Sequence, residues 1–75
     1  MSIRKEENLD QEEIGKRLSS LRKEKGKTQH DIAVELNVSD MAISLYERGE
    51  RIPRDEIKIK LASYYGKSVE SIFYA

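Results

Sequence analysis

The run from Thr28 to Gly49, TQHDIAVELNVSDMAISLYERG, constrains the fold more than any other part of the chain. Ile32, Ala33 and Leu36 recur at the spacing of one helix face, and Ile43 and Tyr46 do the same in a second helix. Helices this short cannot each own a core, so the two stripes must share one. Between them lies Asn37-Val38. Asparagine is, after glycine, the residue that most readily ends a helix at positive φ, so the spacing predicts a sharp turn at Asn37. A crossing of roughly 90–120° between two such helices leaves room only for a small side chain at their contact, which accounts for Ala33 among larger apolar neighbours.

Each of these helices carries its own start signal. Thr28 is followed by Asp31, a weaker relative of the capping box, and Ser39 is placed to cap the second helix, with Gly49 closing it. A second helix beginning at Asp40 turns Asp40, Met41, Ser44 and Leu45 away from the Ile43/Tyr46 core. In a helix-turn-helix that binds DNA, the second helix enters the major groove and its N-terminal residues meet base edges. This outward face is therefore the candidate reading surface.

A chain of 75 residues is one domain, near the lower size at which a single apolar core suffices without disulfides or metal. With no cysteine, disulfides, thiolate zinc sites and cysteine nucleophiles are excluded together, in keeping with a reducing cytoplasm, and the lone His30 cannot assemble a metal site. No apolar run approaches the roughly 18 residues of a membrane span, and the opening SIRKEENLDQEE lacks the apolar segment of a signal peptide. A cytoplasmic protein without a cofactor is expected.

A formal net charge of zero is unusual for a nucleic-acid binder, but the charge is unevenly placed. Residues 1–13 hold two basic and five acidic side chains, which leaves twelve basic and nine acidic, a surplus of three positive charges, on residues 14–75. The basic residues cluster as Lys16, Arg17, Arg22, Lys23, Lys25 and Lys27 and again as Arg48, Arg51 and Arg54, on either side of the proposed reading helix in sequence.

Residues 1–9 are charged and without periodicity, and read as a flexible arm before a domain spanning 10–75. A first helix is expected from about Asp10 to Lys25, with Ile14, Leu18 and Leu21 inward and Gly26 as its stop. The only proline, Pro53, marks entry to a fourth helix near Arg54 or Asp55, whose stripe is Ile57, Leu61, Tyr64 and Tyr65, broadened by Ile59 and Ala62. Ser68 caps a last short helix in which Val69, Ile72 and Phe73 return to the core. The fold class is all-α, five helices and no strands.

These residues resemble the Cro/repressor, or xenobiotic-response-element, helix-turn-helix family over about Ile14 to Phe73. The resemblance rests on L-R-x-x-K-G-x-T-Q before the first motif helix, the small Ala33, Val38-Ser39 at the turn, I-S-x-Y-E-R-G, Pro53, and L-A-x-x-x-G-x-S-V followed by Ile72-Phe73. It implies a compact lambda-repressor-like domain of bacterial or bacteriophage origin. Such a domain binds operator DNA as a two-fold dimer and commonly represses or switches transcription.

The resemblance further implies that Gln29 contacts the phosphate backbone, that Arg22 and Glu47 form an internal ion pair, and that Ser39, Asp40, Met41, Ser44 and Leu45 supply base contacts. This outward face departs from the Gln- and Arg-rich faces of many members, so direct readout is expected to be modest, with affinity drawn from phosphate contacts of Gln29, Lys27, Arg51 and Arg54. Asp40 suits a cytosine amino group or the positive end of the helix, and Met41 suits a thymine methyl or plain space-filling. Tyr64, Ile72, Phe73 and Tyr74 are the candidate dimer interface, with Ile72 and Phe73 fitting ordinary core at least as well and Tyr74 expected to be the most exposed.

An enzyme is not expected, since the chain has no Ser/His/Asp set, metal-ligand spacing or phosphate-cradling glycine loop. The competing class is a protein-interaction module on the same fold, such as an antitoxin. Neutral net charge and Asp40 point that way, and the acidic arm of residues 1–13 would serve as the partner-binding segment.

Overall fold

The computed structural model describes residues 10–75 and shows five helices among them: α1 (Gln11–Glu24), α2 (Gln29–Leu36), α3 (Asp40–Glu47), α4 (Asp55–Tyr65) and α5 (Val69–Phe73). The expected N-terminal arm lies outside the described residues. Local chemistry sets most of the boundaries. The Asp10 carboxylate accepts the Glu13 N–H at the start of α1, Ser39 Oγ accepts the Ala42 N–H at the start of α3, and Ser68 Oγ accepts the Ser71 N–H at the start of α5. At α2 both halves of a capping box are present. Thr28 Oγ1 accepts the Asp31 N–H at 3.0 Å while the Asp31 carboxylate accepts the Thr28 N–H at 2.9 Å. Those bonds hold the Asp31 carboxyl below its usual range.

The α2–α3 turn is built on Asn37, which adopts the left-handed conformation at φ 59° while the Val38 N–H donates back to the Ala33 carbonyl at 2.9 Å. Alanine there loses the local compatibility of asparagine with positive φ. Asn37→Ala is expected to cost about 1–2 kcal/mol in urea unfolding, and Asn37→Gly to be nearly neutral.

One core joins all five helices. Ile14 and Leu18 from α1, Ile32, Ala33 and Leu36 from α2, Ile43 and Tyr46 from α3, Ile57, Leu61, Ala62 and Tyr65 from α4, and Ile72 and Phe73 from α5 are all buried. Leu21, Val38, Ile52, Tyr64 and Val69 pack partly buried around them. Ile72 and Phe73 are therefore core residues and not a free interface; of the expected interface only Tyr74 is well exposed, while Tyr64 stacks edge-on to Tyr65 with ring centroids 5.2 Å apart.

Helix α4 departs from the expected stripe. Ile59 is 61 % exposed, because it stands about 200° around the helix from Ile57, and the stripe widens instead through Lys58 and Ala62. Lys58 is buried: its aliphatic stem lies inside, and its ammonium sits 5.6 Å from the Phe73 ring centroid and 4.8 Å from that of Tyr74, donating to the Tyr74 hydroxyl at 2.6 Å. Arg17 ties α1 to the same region by donating to the Ile72 carbonyl at 2.6 Å and the Ala75 carbonyl at 3.3 Å.

Helix α1 crosses the end of α3 closely at Gly15. A Cβ built there would lie 2.8 Å from the Glu47 carbonyl carbon and 2.9 Å from the Tyr46 carbonyl oxygen, and closer still to the Glu47 carbonyl oxygen. The bare backbone of α1 thus rests on the last turn of α3.

Candidate nucleic-acid interface

The candidate reading helix is anchored from behind by a polar network. The Arg22 guanidinium on α1 grips Glu47 at the end of α3 with two bonds, Nε to Oε2 at 2.8 Å and Nη2 to Oε1 at 3.0 Å. Its remaining arm donates to the Lys27 carbonyl at 2.9 Å, fixing the α1–α2 loop. Gln29, the first residue of α2, adds a third donor, Nε2 to Glu47 Oε1 at 3.0 Å. The Arg22 and Glu47 side chains are 14 % and 6 % exposed, so the pair is largely removed from water. The hydrogen bonds that Arg22 donates to Glu47 raise the Arg22 pKa and keep the guanidinium charged. Behind it burial pushes the Tyr65 phenol up to about 12, with the Glu47 charge acting in the same direction.

One of the two Gln29 amide hydrogens is committed to Glu47, and the other remains available to an outside acceptor. Along α3, Asp40 and Met41 stand in solvent, with Met41 61 % exposed. Ser44 and Leu45, expected on the same open face, are only half-exposed. They lie one turn farther along the helix than Asp40 and Met41. The Ser44 hydroxyl accepts from Arg48 Nη1 at 2.8 Å, and Ser39 Oγ serves as the cap while its own O–H stays free to donate.

The two basic clusters are not uniform surfaces. Arg17 and Arg22 are spent on internal bonds, Lys25 lies 5.1 Å over the Tyr64 ring, and Arg48 forks onto Glu50 at 3.1 and 3.2 Å. Lys27, Arg51 and Arg54 remain exposed. Arg51 and Arg54 line one surface groove with Val38 of the turn and Ala42 of α3, which brings both next to the reading helix; Arg54 also reaches Glu56 at 3.5 Å. Sequence reasoning missed two features here. One is Gly15, signalled only by a glycine inside a helical pattern; the other is His30, whose Nδ1 lies 3.0 Å from both Asp40 carboxylate oxygens.

A short helix seated on a core, capped at its start and presented at the surface after a left-handed turn, defines a helix-turn-helix domain. The family model for helix-turn-helix domains matches residues 18–72, and the chain belongs to that family, in its Cro/repressor type. It is 37 % identical over 57 residues to the HTH-type transcriptional regulator ImmR of Bacillus subtilis (strain 168), a match covering 76 % of this chain and 45 % of that protein. The chain thus spans less than half the length of that relative. Among solved structures, a transcriptional regulator from Listeria innocua superposes with a TM-score of 0.77 at 35 % identity, over 83 % of this chain and 58 % of that one. The DNA-binding domain of BldD from S. venezulae superposes with a TM-score of 0.72 over 85 % of this chain and 96 % of that one, at 23 % identity, a likeness of fold. No described helix is long and apolar enough to cross a membrane.

Proposed function

We propose that this chain is a DNA-binding transcriptional regulator of the bacterial cytoplasm, reading a palindromic operator as a homodimer and repressing transcription from it. The observation that carries the reading is the exposed start of α3, bearing Asp40 and Met41, held from behind by the Arg22–Glu47–Gln29 network and flanked by Arg51 and Arg54. In this reading Ser39, Asp40, Met41 and Ser44 face base edges, with Leu45 at the margin. Lys27, Arg51, Arg54 and the free amide hydrogen of Gln29 meet phosphates. The two-fold dimer follows from the small number of base pairs that one recognition helix covers, too few for useful specificity.

Selection of duplexes from a random pool at two salt concentrations tests this. Enrichment of a palindrome with half-sites one helical turn apart is expected. The double substitution Arg51→Ala/Arg54→Ala is expected to weaken binding to every sequence and to reduce the slope of log K against log salt by about two, close to one for each phosphate left without its arginine. Absence of enrichment, with only weak binding that vanishes in salt, would instead favour a protein-binding module, such as an antitoxin, built on the same fold.

A further inference from the structure

His30 and Asp40 bridge the two helices of the motif at the end that the proposed function turns toward DNA. His30 lies in the first turn of α2 and Asp40 is the first residue of α3. The imidazole Nδ1 sits 3.0 Å from each carboxylate oxygen, and the two side chains are 68 % and 63 % exposed. A carboxylate only accepts, so Nδ1 carries the hydrogen and donates it, which leaves Nε2 as the site for a second proton. From α3, the charged group facing the imidazole is Asp40. From its own segment the charged group near the imidazole is Asp31, already engaged by Thr28 and itself beside Lys27. Gln29 beside it is neutral and turned toward Glu47.

Resting on the DNA-binding reading above, we propose that His30 is a positioning residue for Asp40 that takes up a proton when the domain docks on DNA, so that affinity rises as the pH falls. With a neutral imidazole the pair presents one negative charge, which phosphates repel. A proton on Nε2 makes the pair neutral as a whole and sets a second N–H donor outward, while the Nδ1–H bond still holds the carboxylate in place. The negative field of the duplex favours that proton, and by linkage the proton favours the duplex by the same factor. One unit charge several ångströms from a phosphate at the wet surface corresponds to an affinity gain on the order of three- to tenfold between about pH 8 and about pH 6.

The experiment is titration of a mixed-sequence DNA duplex with the full chain across this interval at fixed ionic strength. It is paired with calorimetry in two buffers of different ionisation heat, which counts protons taken up on binding. His30→Gln keeps a donor for Asp40 but cannot titrate. The wild type is expected to gain affinity and to take up a proton, and the variant to hold its high-pH affinity throughout with no uptake. Both side chains are exposed, and the proton count on the wild type does not depend on how the variant folds. Identical pH profiles for the two proteins, or no proton uptake by the wild type, would overturn the role of His30 while leaving DNA binding intact. No binding by the wild type at any pH would overturn the DNA-binding reading and this inference together.

Discussion

Glu47→Ala is expected to remove about 3–5 kcal/mol of folding stability, because it strips one buried carboxylate from three donors and leaves the Arg22 guanidinium largely buried without its counter-charge. Small domains have about 5–15 kcal/mol in all, so a loss of that size takes a large share of the total. Urea unfolding followed by circular dichroism measures it, with the midpoint falling and the slope unchanged. A shift below about 1 kcal/mol would mean that water reaches the pair and that it behaves as a surface ion pair. Removing both charges separates the contributions: replacing Arg22 and Glu47 together with apolar residues of similar volume is expected to cost much less than Glu47→Ala alone. Any loss of DNA affinity in Glu47→Ala should follow the loss of fold, since the carboxylate is turned inward.

Gly15→Ala is the second large effect, and its sign is opposite to that suggested by helix propensity. Alanine in a helix interior is favoured over glycine by about 1 kcal/mol. At this crossing, however, the new methyl meets the carbonyls of Tyr46 and Glu47, which are backbone and cannot swing aside. Helix α1 must lift from α3, and a net destabilisation of about 1–3 kcal/mol is expected, rising further for Gly15→Val. Thermal unfolding of the two variants beside Ser20→Ala, an exposed position in the same helix, gives the comparison. Stabilisation by Gly15→Ala would show that the crossing is looser than its backbone contacts indicate. Because the same crossing carries the Arg22–Glu47 bond, the two substitutions are not expected to be additive.

The helices were legible because their signals are local. Asp10, Thr28, Ser39 and Ser68 each satisfy an amide three residues on, and Asn37 takes the positive φ that its position between two stripes demands. The core was legible wherever apolar residues kept helical spacing. What escaped sequence reasoning depends on the tertiary arrangement. Gly15 is an ordinary small residue until another backbone lies against it. Polarity misassigns Ile59 and gives no sign of Lys58, whose long side chain fills that side of α4 beneath the Phe73 and Tyr74 rings at the C-terminal end.

The same distinction runs through the candidate site. The outward placement of Asp40 and Met41 follows from the helical period, whereas the partial cover on Ser44 and Leu45 depends on what lies alongside the later turns of α3. The basic cluster between Lys16 and Lys27 reads as one surface in sequence. In space Arg17 reaches backbone carbonyls 55 and 58 residues away and Arg22 turns into the interior. The contact between His30 and Asp40 spans ten residues and exists only because the turn folds one helix start against the other.

The burial of Lys58 has a practical consequence. It is 7 % exposed under the rings of Phe73 and Tyr74, while every other lysine among the described residues is exposed. An amine-acylating reagent therefore reaches Lys58 last. The lag between its labelling and that of its neighbour Lys60 becomes a clock for how often the C-terminal segment lifts from α4.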